Sequence, residues 1–204
     1  AILNNLEFEH ADIFNNLEEI EKQFHHLIRT IPGNGTIISP HEDSGIEKVI
    51  DMGCWSYRQH FGVNLPELKC KKAALDMEIF WNAKFEGEQG NEFQLAKYEK
   101  KSGEVIKTEG VVKWSQNGRH NVKNALAAVA AANQVGVDLS VAVKALENFQ
   151  GVKRRMELRG TVNGINVYDD FAHHPTAIQT TLDGFASKLR ASKSSKRLVA
   201  VIEP

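Results

Sequence analysis

The stretch "RMELRGTVNGINVYDDFAHHPTAI", residues 155–178, decides the fold class. Two segments rich in strand-favouring residues flank Asn163 and Gly164, and an Asn-Gly pair supplies the positive φ angles of a type I′ hairpin turn. Pro175 suits the first turn of a helix, where a missing N–H leaves no hydrogen bond unmade. The stretch therefore predicts a β-hairpin that runs directly into a helix.

The residues after Pro175 continue this alternation of elements. Residues 175–190 predict a helix, because their apolar side chains recur at steps of three and four, at Ile178, Leu182, Phe185 and Leu189. "RLVAVIEP", residues 197–204, predicts a buried strand. A right-handed crossover would place that strand parallel to the second strand of the hairpin. This order of elements predicts an α/β fold.

The first 150 residues predict a separate set of elements. These are helices at 11–30, 44–52, 119–135 and from Ser140, as N-cap, to Phe149, a strand at 36–39, and antiparallel hairpins over 78–114. The pattern breaks at Gln150–Gly151. We therefore expect two domains, at residues 1–150 and 151–204.

Composition limits the functional classes. The 204 residues carry a formal net charge of −1, which gives no general attraction to nucleic acid or to an anionic membrane. No apolar run approaches the roughly 20 residues of a membrane span. Cys54 and Cys70 form neither a CxxC zinc pair nor a disulfide framework. We expect a cytoplasmic protein without nucleic acid or membrane partners, and the apolar ends "AILNNLEF" and "RLVAVIEP" indicate a fragment of a longer chain.

Polar residues capable of chemistry concentrate in four stretches. These are "NNLEFEHADIF" at 4–14, "NGRHNVKNALAA" at 117–128, "FQGVKRRMEL" at 149–158 and "YDDFAHHP" at 168–175. Taken singly, each has an ordinary explanation, since an asparagine can cap a helix and arginines can be surface charges at a linker. Strand ends of an open α/β sheet are nevertheless where such folds bind ligands.

In this order, the four stretches resemble the Mur ligase family, the ATP-dependent amide-forming ligases of peptidoglycan synthesis. The resemblance runs from about residue 2 to the end of the chain. It implies an α/β fold in which part of a central ATPase domain is followed by the first part of a Rossmann-like C-terminal domain. A G-x-x-x-x-G-K-[ST] phosphate loop is missing from the sequence, so we expect this fragment alone to be inactive.

Within the family, residues 154–178 look most like members that join UDP-N-acetylmuramate to the murein tripeptide L-Ala-γ-D-Glu-meso-diaminopimelate. That reaction passes through an acyl phosphate and belongs to peptidoglycan recycling, so the nucleotide sugar and the tripeptide are the expected small-molecule substrates. Members that add L-alanine usually carry a tyrosine where Phe171 stands and a glutamate near Ala177. Addition of L-alanine to UDP-N-acetylmuramate remains the alternative within the family.

The resemblance implies roles for residues of the first domain, with ATP and Mg²⁺ as cofactors. His10 matches a magnesium-ligating histidine, and Glu9 stands where the family has an aspartate. A neutral imidazole can join the oxygen ligands that magnesium prefers. Asn121 and Asn124 match residues near adenine, and His120 adjoins them. An amide both donates and accepts hydrogen bonds, as the N6/N7 edge of adenine requires.

Roles for the second domain follow from the same resemblance. Arg155 matches a catalytic arginine that reaches the terminal phosphate of ATP, and its planar fork suits phosphate oxygens. Asp170 matches an acid at the ATP ribose. His173 and His174 match a histidine pair that faces the substrate cleft, and His173 is expected to take part in catalysis.

Two alternatives outside the family remain open. A metal-dependent hydrolase could use Asp169, Asp170, His173 and His174 as ligands, which would explain the last stretch alone. A non-enzymatic interaction module would leave the spacing of the asparagines and arginines unexplained.

Overall fold

The computed structural model describes residues 1–8, 11–41, 43–87, 89–191 and 197–202. The helices are α1 Leu17–Thr30, α2 Ser44–Asp51, α3 Glu67–Met77, α4 Arg119–Gln134, α5 Leu139–Glu147 and α6 Pro175–Ala191. The strands are β1 Thr36–Pro40, β2 Tyr57–Val63, β3 Ile79–Lys84, β4 Glu92–Lys101, β5 Glu104–Lys113, β6 Glu157–Val162 and β7 Ile165–Asp169. None of the helices in these ranges has both the length and the apolar content that a bilayer span requires.

Strands β1 to β5 form one sheet in chain order. β1, β2 and β3 run parallel, whereas β4 and β5 continue the sheet as antiparallel neighbours. Helices α2 and α3 connect the parallel strands, which need a crossover connection. β6 and β7 form a second, two-stranded sheet that leads into α6. The α/β class predicted from the sequence is confirmed.

Residues 1–3 lie alongside β1. Ile2 forms a parallel bridge with Ile38. The Leu3 amide donates to the Ile38 carbonyl at 2.9 Å, and the Ile38 amide donates to the Ala1 carbonyl at 2.9 Å. The Leu3 side chain is buried with apolar residues of α1, α2 and β1. This pairing fixes the direction in which residues 4–8 leave the sheet.

The main core lies between the five-stranded sheet and the alanine-rich helix α4. Trp81, on β3, is fully buried, and its indole N–H donates to Gln59 Oε1 on β2 at 3.0 Å. The Gln59 amide in turn donates to Gln134 Oε1, at the end of α4, at 2.8 Å. Because buried polar groups cost free energy unless they are paired, these hydrogen bonds fix α4 against the sheet.

The β6–β7 hairpin has the turn that the sequence predicts. Asn163 and Gly164 have φ values of 50° and 78°, and Val162 pairs with Ile165 across the turn. Positive φ at both central residues is what a type I′ turn requires. The hairpin therefore ends β7 at Asp169 and places the next polar residues between a strand and a helix.

β2 and α3 have no counterpart among the elements predicted from the sequence. In β2, the polar residues Arg58, Gln59 and His60 follow one another, so the strand lacks an alternating apolar pattern. α3 begins without a side-chain cap and buries only small residues, Cys70, Ala73 and Ala74. Both elements are stabilised by tertiary packing rather than by a strong local signal.

Two helix starts differ from the predicted positions. α1 begins at Leu17 rather than at residue 11, because the Asn16 side chain accepts a hydrogen bond from a backbone amide of the first turn. α5 begins at Leu139 with Asp138 as its N-cap residue. Ser140 therefore lies inside the first turn, and its prediction as the N-cap is wrong.

The strand predicted at residues 197–204 is also absent from the part of this segment that the structure describes. Residues 197–202 pair with no strand in the described ranges, and Val201 is 94% exposed. An apolar run forms a strand only where another strand offers backbone partners. The second sheet, as described, consists of β6 and β7.

His60, on β2, is completely buried. Arg58 Nη2 lies 3.2 Å from His60 Nε2, so Nε2 accepts a hydrogen bond and Nδ1 carries the proton of the neutral ring. Burial lowers the pKa of His60 to about 4, and the Arg58 charge adds to this effect. The imidazole is therefore neutral in the folded protein near neutral pH.

We predict that the free energy of unfolding falls as the pH is lowered from about 6.5 towards 4, because the unfolded chain then binds a proton at His60 and the folded protein does not. The loss approaches about 3 kcal/mol. Urea unfolding of the wild type and of His60→Gln near neutral pH and near pH ~4.5 checks this. The variant should lose less stability over this interval, and equal losses would contradict the prediction.

Candidate functional site

A glycine shapes the first turn of α4. Gly118 precedes the helix with a φ of 91°, and a Cβ atom there would lie 2.8 Å from the His120 ring. Glycine therefore leaves room for the His120 imidazole to fold back over the start of the helix. Asn121 Nδ2 donates to the Asn117 carbonyl at 2.7 Å, which ties this end of α4 to the preceding loop.

Residues 4–7 connect α4 with the loop after β7. Asn4 Nδ2 donates to Asn124 Oδ1 at 2.7 Å, across 120 positions of sequence. Glu7 Oε2 lies 3.5 Å from His174 Nδ1, just before α6. One short segment thus contacts both α4 and the loop before α6.

Asp170 holds a tight turn at residues 154–156. Its Oδ2 accepts from the Met156 amide at 2.8 Å, and its Oδ1 accepts from the Ala172 amide at 2.7 Å. Arg154 and Met156 have φ values of 58° and 50°, a conformation that costs about 1–2 kcal/mol for a residue with a Cβ atom. Arg155 lies between these two left-handed residues.

Two charged side chains, Arg155 and Asp170, act electrostatically on His120. Burial lowers the pKa of His120, the Asp170 carboxylate opposes this shift, and the Arg155 guanidinium adds to it. Arg155 and Asp170 belong to the second predicted domain, whereas His120 belongs to the first. Charges of the 154–156 turn and of the loop after β7 therefore act on the histidine at the start of α4.

The Phe171 ring lies between Arg154 and His173. The Arg154 guanidinium is 4.9 Å from the ring centroid, and the His173 imidazole packs against the ring at an angle, with centroids 5.2 Å apart. His173 Nδ1 lies 3.0 Å from the Phe171 carbonyl and donates to it. The neutral His173 ring therefore presents Nε2 as an acceptor.

A cavity of about 520 Å³ opens beside His120. The start of α4, the loop after β3 and one face of α6 line it, with Phe85, Arg119, Asp183 and Arg190 among its side chains. None of these four side chains was assigned a functional role from the sequence. Arg119 falls in one of the polar stretches, and its Nη2 donates to a β2 carbonyl at 2.9 Å. Asp183 and Arg190 are seven residues apart, which is two helical turns. This spacing in the sequence already places both residues on the same face of α6.

The predicted magnesium ligand, His10, lies outside the described residues together with Glu9. Within the described ranges, no group of three or more histidine, cysteine, aspartate or glutamate side chains is placed to hold a metal ion. The magnesium role of His10 therefore stays a prediction.

The four residues of the hydrolase alternative have separate partners. Asp169 Oδ2 lies 3.4 Å from Arg154 Nε, and Asp170 accepts from two backbone amides. His173 donates to a backbone carbonyl, and His174 contacts the 4–7 segment. These four side chains are therefore not grouped around one point, as the metal ligands of a hydrolase would have to be.

Comparison with protein families gives two matches. The Mur ligase middle domain matches residues 1–132, and the glutamate ligase domain of the Mur ligases matches residues 154–203. The residues between the two matches contain α5 and the predicted domain boundary.

Individual relatives agree with these matches. The UDP-N-acetylmuramate–L-alanyl-γ-D-glutamyl-meso-2,6-diaminoheptandioate ligase of Escherichia coli (strain K12) is 44% identical over 203 residues, covering 100% of this chain and 39% of that protein. A UDP-N-acetylmuramate–L-alanine ligase of Roseiflexus castenholzii is 32% identical over 205 residues, covering 100% of this chain and 42% of that protein. The chain thus spans about two fifths of the length of these relatives.

A solved structure is similar as well. The crystal structure of a murein peptide ligase from Psychrobacter arcticus 273-4 superimposes with a TM-score of 0.66 at 41% sequence identity. The match covers 92% of this chain and 35% of that one.

We predict that Arg155→Ala raises the pKa of His120, because the protonated imidazole no longer faces a guanidinium. NMR titration of isotope-labelled histidine side chains measures this shift. Arg159→Ala is the matched control, since Arg159 pairs with Glu157 at 3.1 Å and its loss should leave His120 unchanged. A His120 pKa that does not respond to Arg155→Ala would contradict the proximity of the two side chains.

Proposed function

Because the chain belongs to the Mur ligase family, we propose that it is part of an ATP-dependent ligase that joins UDP-N-acetylmuramate to the tripeptide L-Ala-γ-D-Glu-meso-diaminopimelate. Residues 1–150 would form the end of the central ATP-binding domain, and residues 151–204 the start of the Rossmann-like C-terminal domain. The reaction would serve peptidoglycan recycling and would take place in the cytoplasm, where ATP is supplied.

One observation carries this proposal: residues 4–7 contact both α4 and the loop before α6. The Asn4–Asn124 hydrogen bond and the Glu7–His174 contact draw three of the four polar stretches to one place. The fourth stretch supplies Arg155, whose charge lowers the pKa of His120. Ordinary surface charges would not need to converge in this way, whereas a nucleotide held between two domains requires it.

Asn121 and Asn124 offer complementary groups on one face of α4. Asn121 uses its Nδ2 group, and Asn124 uses its Oδ1 atom, in the hydrogen bonds already described. Among the described residues, no hydrogen bond engages Asn121 Oδ1 or Asn124 Nδ2. The pair therefore presents one acceptor and one donor. The adenine edge displays the N6 amino donor and the N7 acceptor, which match this pair.

The cavity beside His120 fits part of a nucleotide. Ligand pockets typically have volumes of about 300–1,000 Å³, and this cavity has about 520 Å³. Two arginines, Arg119 and Arg190, and one carboxylate, Asp183, line it, so positive side chains outnumber negative ones there. Arg155 approaches the same histidine from the second domain, and its planar fork suits the oxygens of the terminal phosphate.

His10 is the proposed magnesium ligand of this chain. Bound magnesium neutralises charge on the phosphate oxygens during transfer. Asn4 and Glu7, in the described segment that precedes it in the sequence, contact α4 and His174.

In the proposed reaction, a carboxylate oxygen of UDP-N-acetylmuramate attacks the γ-phosphorus of ATP, and ADP leaves. The tripeptide amino group then attacks the carbonyl carbon of the acyl phosphate, phosphate leaves, and the nitrogen loses a proton. Arg155 would stabilise the phosphate oxygens in both steps. His173 would accept the proton of the amine at Nε2, and His174 would face the substrate cleft.

Two observations favour the tripeptide over L-alanine as the incoming group. Sequence identity is 44% with the tripeptide ligase and 32% with the L-alanine ligase. Phe171 and Ala177 also differ from the tyrosine and glutamate that members adding L-alanine usually carry. L-alanine addition is the second candidate, because that relative matches the chain over its whole length.

The full-length protein should consume ATP only when UDP-N-acetylmuramate and the tripeptide are both present. A coupled assay of ADP release measures this dependence. Activity with free L-alanine instead of the tripeptide would move the assignment to the second candidate. No ATP consumption with either acceptor would contradict the proposed function.

Arg155→Ala in the full-length protein should lower kcat by about 10³-fold or more, the range known for arginines that stabilise a transferring phosphoryl group. The thermal unfolding temperature should not change, because the side chain is exposed. Arg159→Ala should keep the wild-type rate. A normal kcat for Arg155→Ala would remove the role assigned to this residue.

A further inference from the structure

A hydrogen bond between two asparagine side chains joins residue 4 to the first turns of α4. Asn4 Nδ2 donates to Asn124 Oδ1 at 2.7 Å, across 120 positions of sequence. Both residues are exposed. A hydrogen bond between exposed neutral groups adds little to the stability of a fold, because water offers each group a similar partner. The consequence of this contact therefore lies in how it orients the two amides.

The backbones on both sides of this hydrogen bond are fixed by other contacts. Asn4 follows Leu3, whose side chain is buried and whose amide donates to the Ile38 carbonyl at 2.9 Å. Asn124 lies on α4 next to Ala125, which is buried in the main core. The two side chains therefore meet at positions that do not depend on the contact between them.

Asn4 determines which atom of the Asn124 amide faces away from it. A carboxamide carries an acceptor oxygen and a donor nitrogen, and a half-turn of the group exchanges their places. Because Asn4 is the donor, Asn124 Oδ1 points to Asn4 and Nδ2 points away from it. Asn121 is held in the opposite sense, since its Nδ2 group donates to the Asn117 carbonyl at 2.7 Å. A backbone carbonyl can only accept, whereas the side chain of residue 4 can be changed by substitution.

We propose that Asn4 is a positioning residue for the nucleobase, which orients the Asn124 amide so that Nδ2 donates to N7 of adenine. This inference rests on the proposed function, because it concerns the base that Asn124 would contact. N7 of a purine accepts a hydrogen bond. An Asn124 amide in the reverse orientation would place Oδ1 against N7, and two acceptors repel each other. Asn4 thus acts on the base through Asn124.

Asn4→Asp tests the proposal, because a carboxylate accepts hydrogen bonds and does not donate them. Asn124 would then turn Nδ2 to the new carboxylate and Oδ1 to the base. Calorimetry on the full-length protein measures Kd for ATP and for 7-deaza-ATP, which carries a C–H group in place of N7, both with magnesium. The wild type should bind 7-deaza-ATP about 5-fold more weakly than ATP, the effect of one lost hydrogen bond. Asn4→Asp should bind ATP about 10-fold more weakly than the wild type does, and it should bind the two nucleotides equally well.

The ratio of the two Kd values separates orientation from other effects of the substitution. Repulsion between a new carboxylate and the phosphates is the same for both nucleotides, so it cancels in the ratio. Asn15→Asp is the control of equal charge, because the Asn15 side chain donates to Glu19 on α1 at 3.1 Å. It should keep the wild-type ratio. Asn4→Leu removes the donor without adding charge, and its ratio should fall between those of the wild type and Asn4→Asp.

NMR of labelled asparagine side chains in the nucleotide-free protein examines the same contact without a ligand. The Asn124 Nδ2 protons should shift downfield in Asn4→Asp, since they gain a carboxylate acceptor, and they should not shift in Asn15→Asp. An unchanged Asn124 resonance would overturn the proposal.

The binding results distinguish this proposal from the proposed function. ATP binding with the same Kd ratio in the wild type, Asn4→Asp and Asn4→Leu would overturn the role of Asn4 and leave the proposed function standing. A wild type that binds ATP and 7-deaza-ATP equally well would also overturn it. Absence of ATP binding to the wild type would overturn the proposed function itself, and this proposal with it.

Discussion

The short pairing of residues 1–3 with β1 is the constraint on which the site depends. Two backbone hydrogen bonds to Ile38 and the burial of Leu3 anchor this segment to the sheet. Residues 4–7 then continue in the direction of the parallel strands, towards the carboxyl ends where open α/β sheets bind ligands. From there, Asn4 reaches α4 and Glu7 reaches the loop before α6. Exposed side-chain contacts contribute little alone, so the backbone pairing is what makes them possible.

The two sides of the site are held by different means. The first side is the start of α4, which is fixed from the opposite end of the helix by the buried hydrogen bonds from Trp81 through Gln59 to Gln134. Because the interior is closely packed, a helix fixed in this way holds its first turn in place. The second side is the turn at 154–156, where hydrogen bonds keep an unfavourable backbone closed. In both places, polar groups fix the geometry of the backbone around the candidate site.

Local signals in the sequence predict much of this fold. The Asn163–Gly164 turn, the hairpins before α4 and most of the helices follow from turn chemistry and periodicity, whereas β2 and α3 lack such signals and depend on tertiary packing. For the candidate site, the order of the motifs predicts which residues belong to it but not which contacts they make. No local pattern encodes a hydrogen bond between residues 120 positions apart. The orientation of the Asp170 carboxylate towards backbone amides depends equally on the folded loop.

The central claim is that the start of α4 and the 154–156 turn form one nucleotide site. A crystal structure of the full-length protein with magnesium and a non-hydrolysable ATP analogue tests it most directly. We expect the adenine to lie within hydrogen-bonding distance of the Asn121 and Asn124 side chains, and the terminal phosphate within hydrogen-bonding distance of Arg155. A nucleotide bound elsewhere, with Arg155 and both asparagines turned away from it, would contradict the claim.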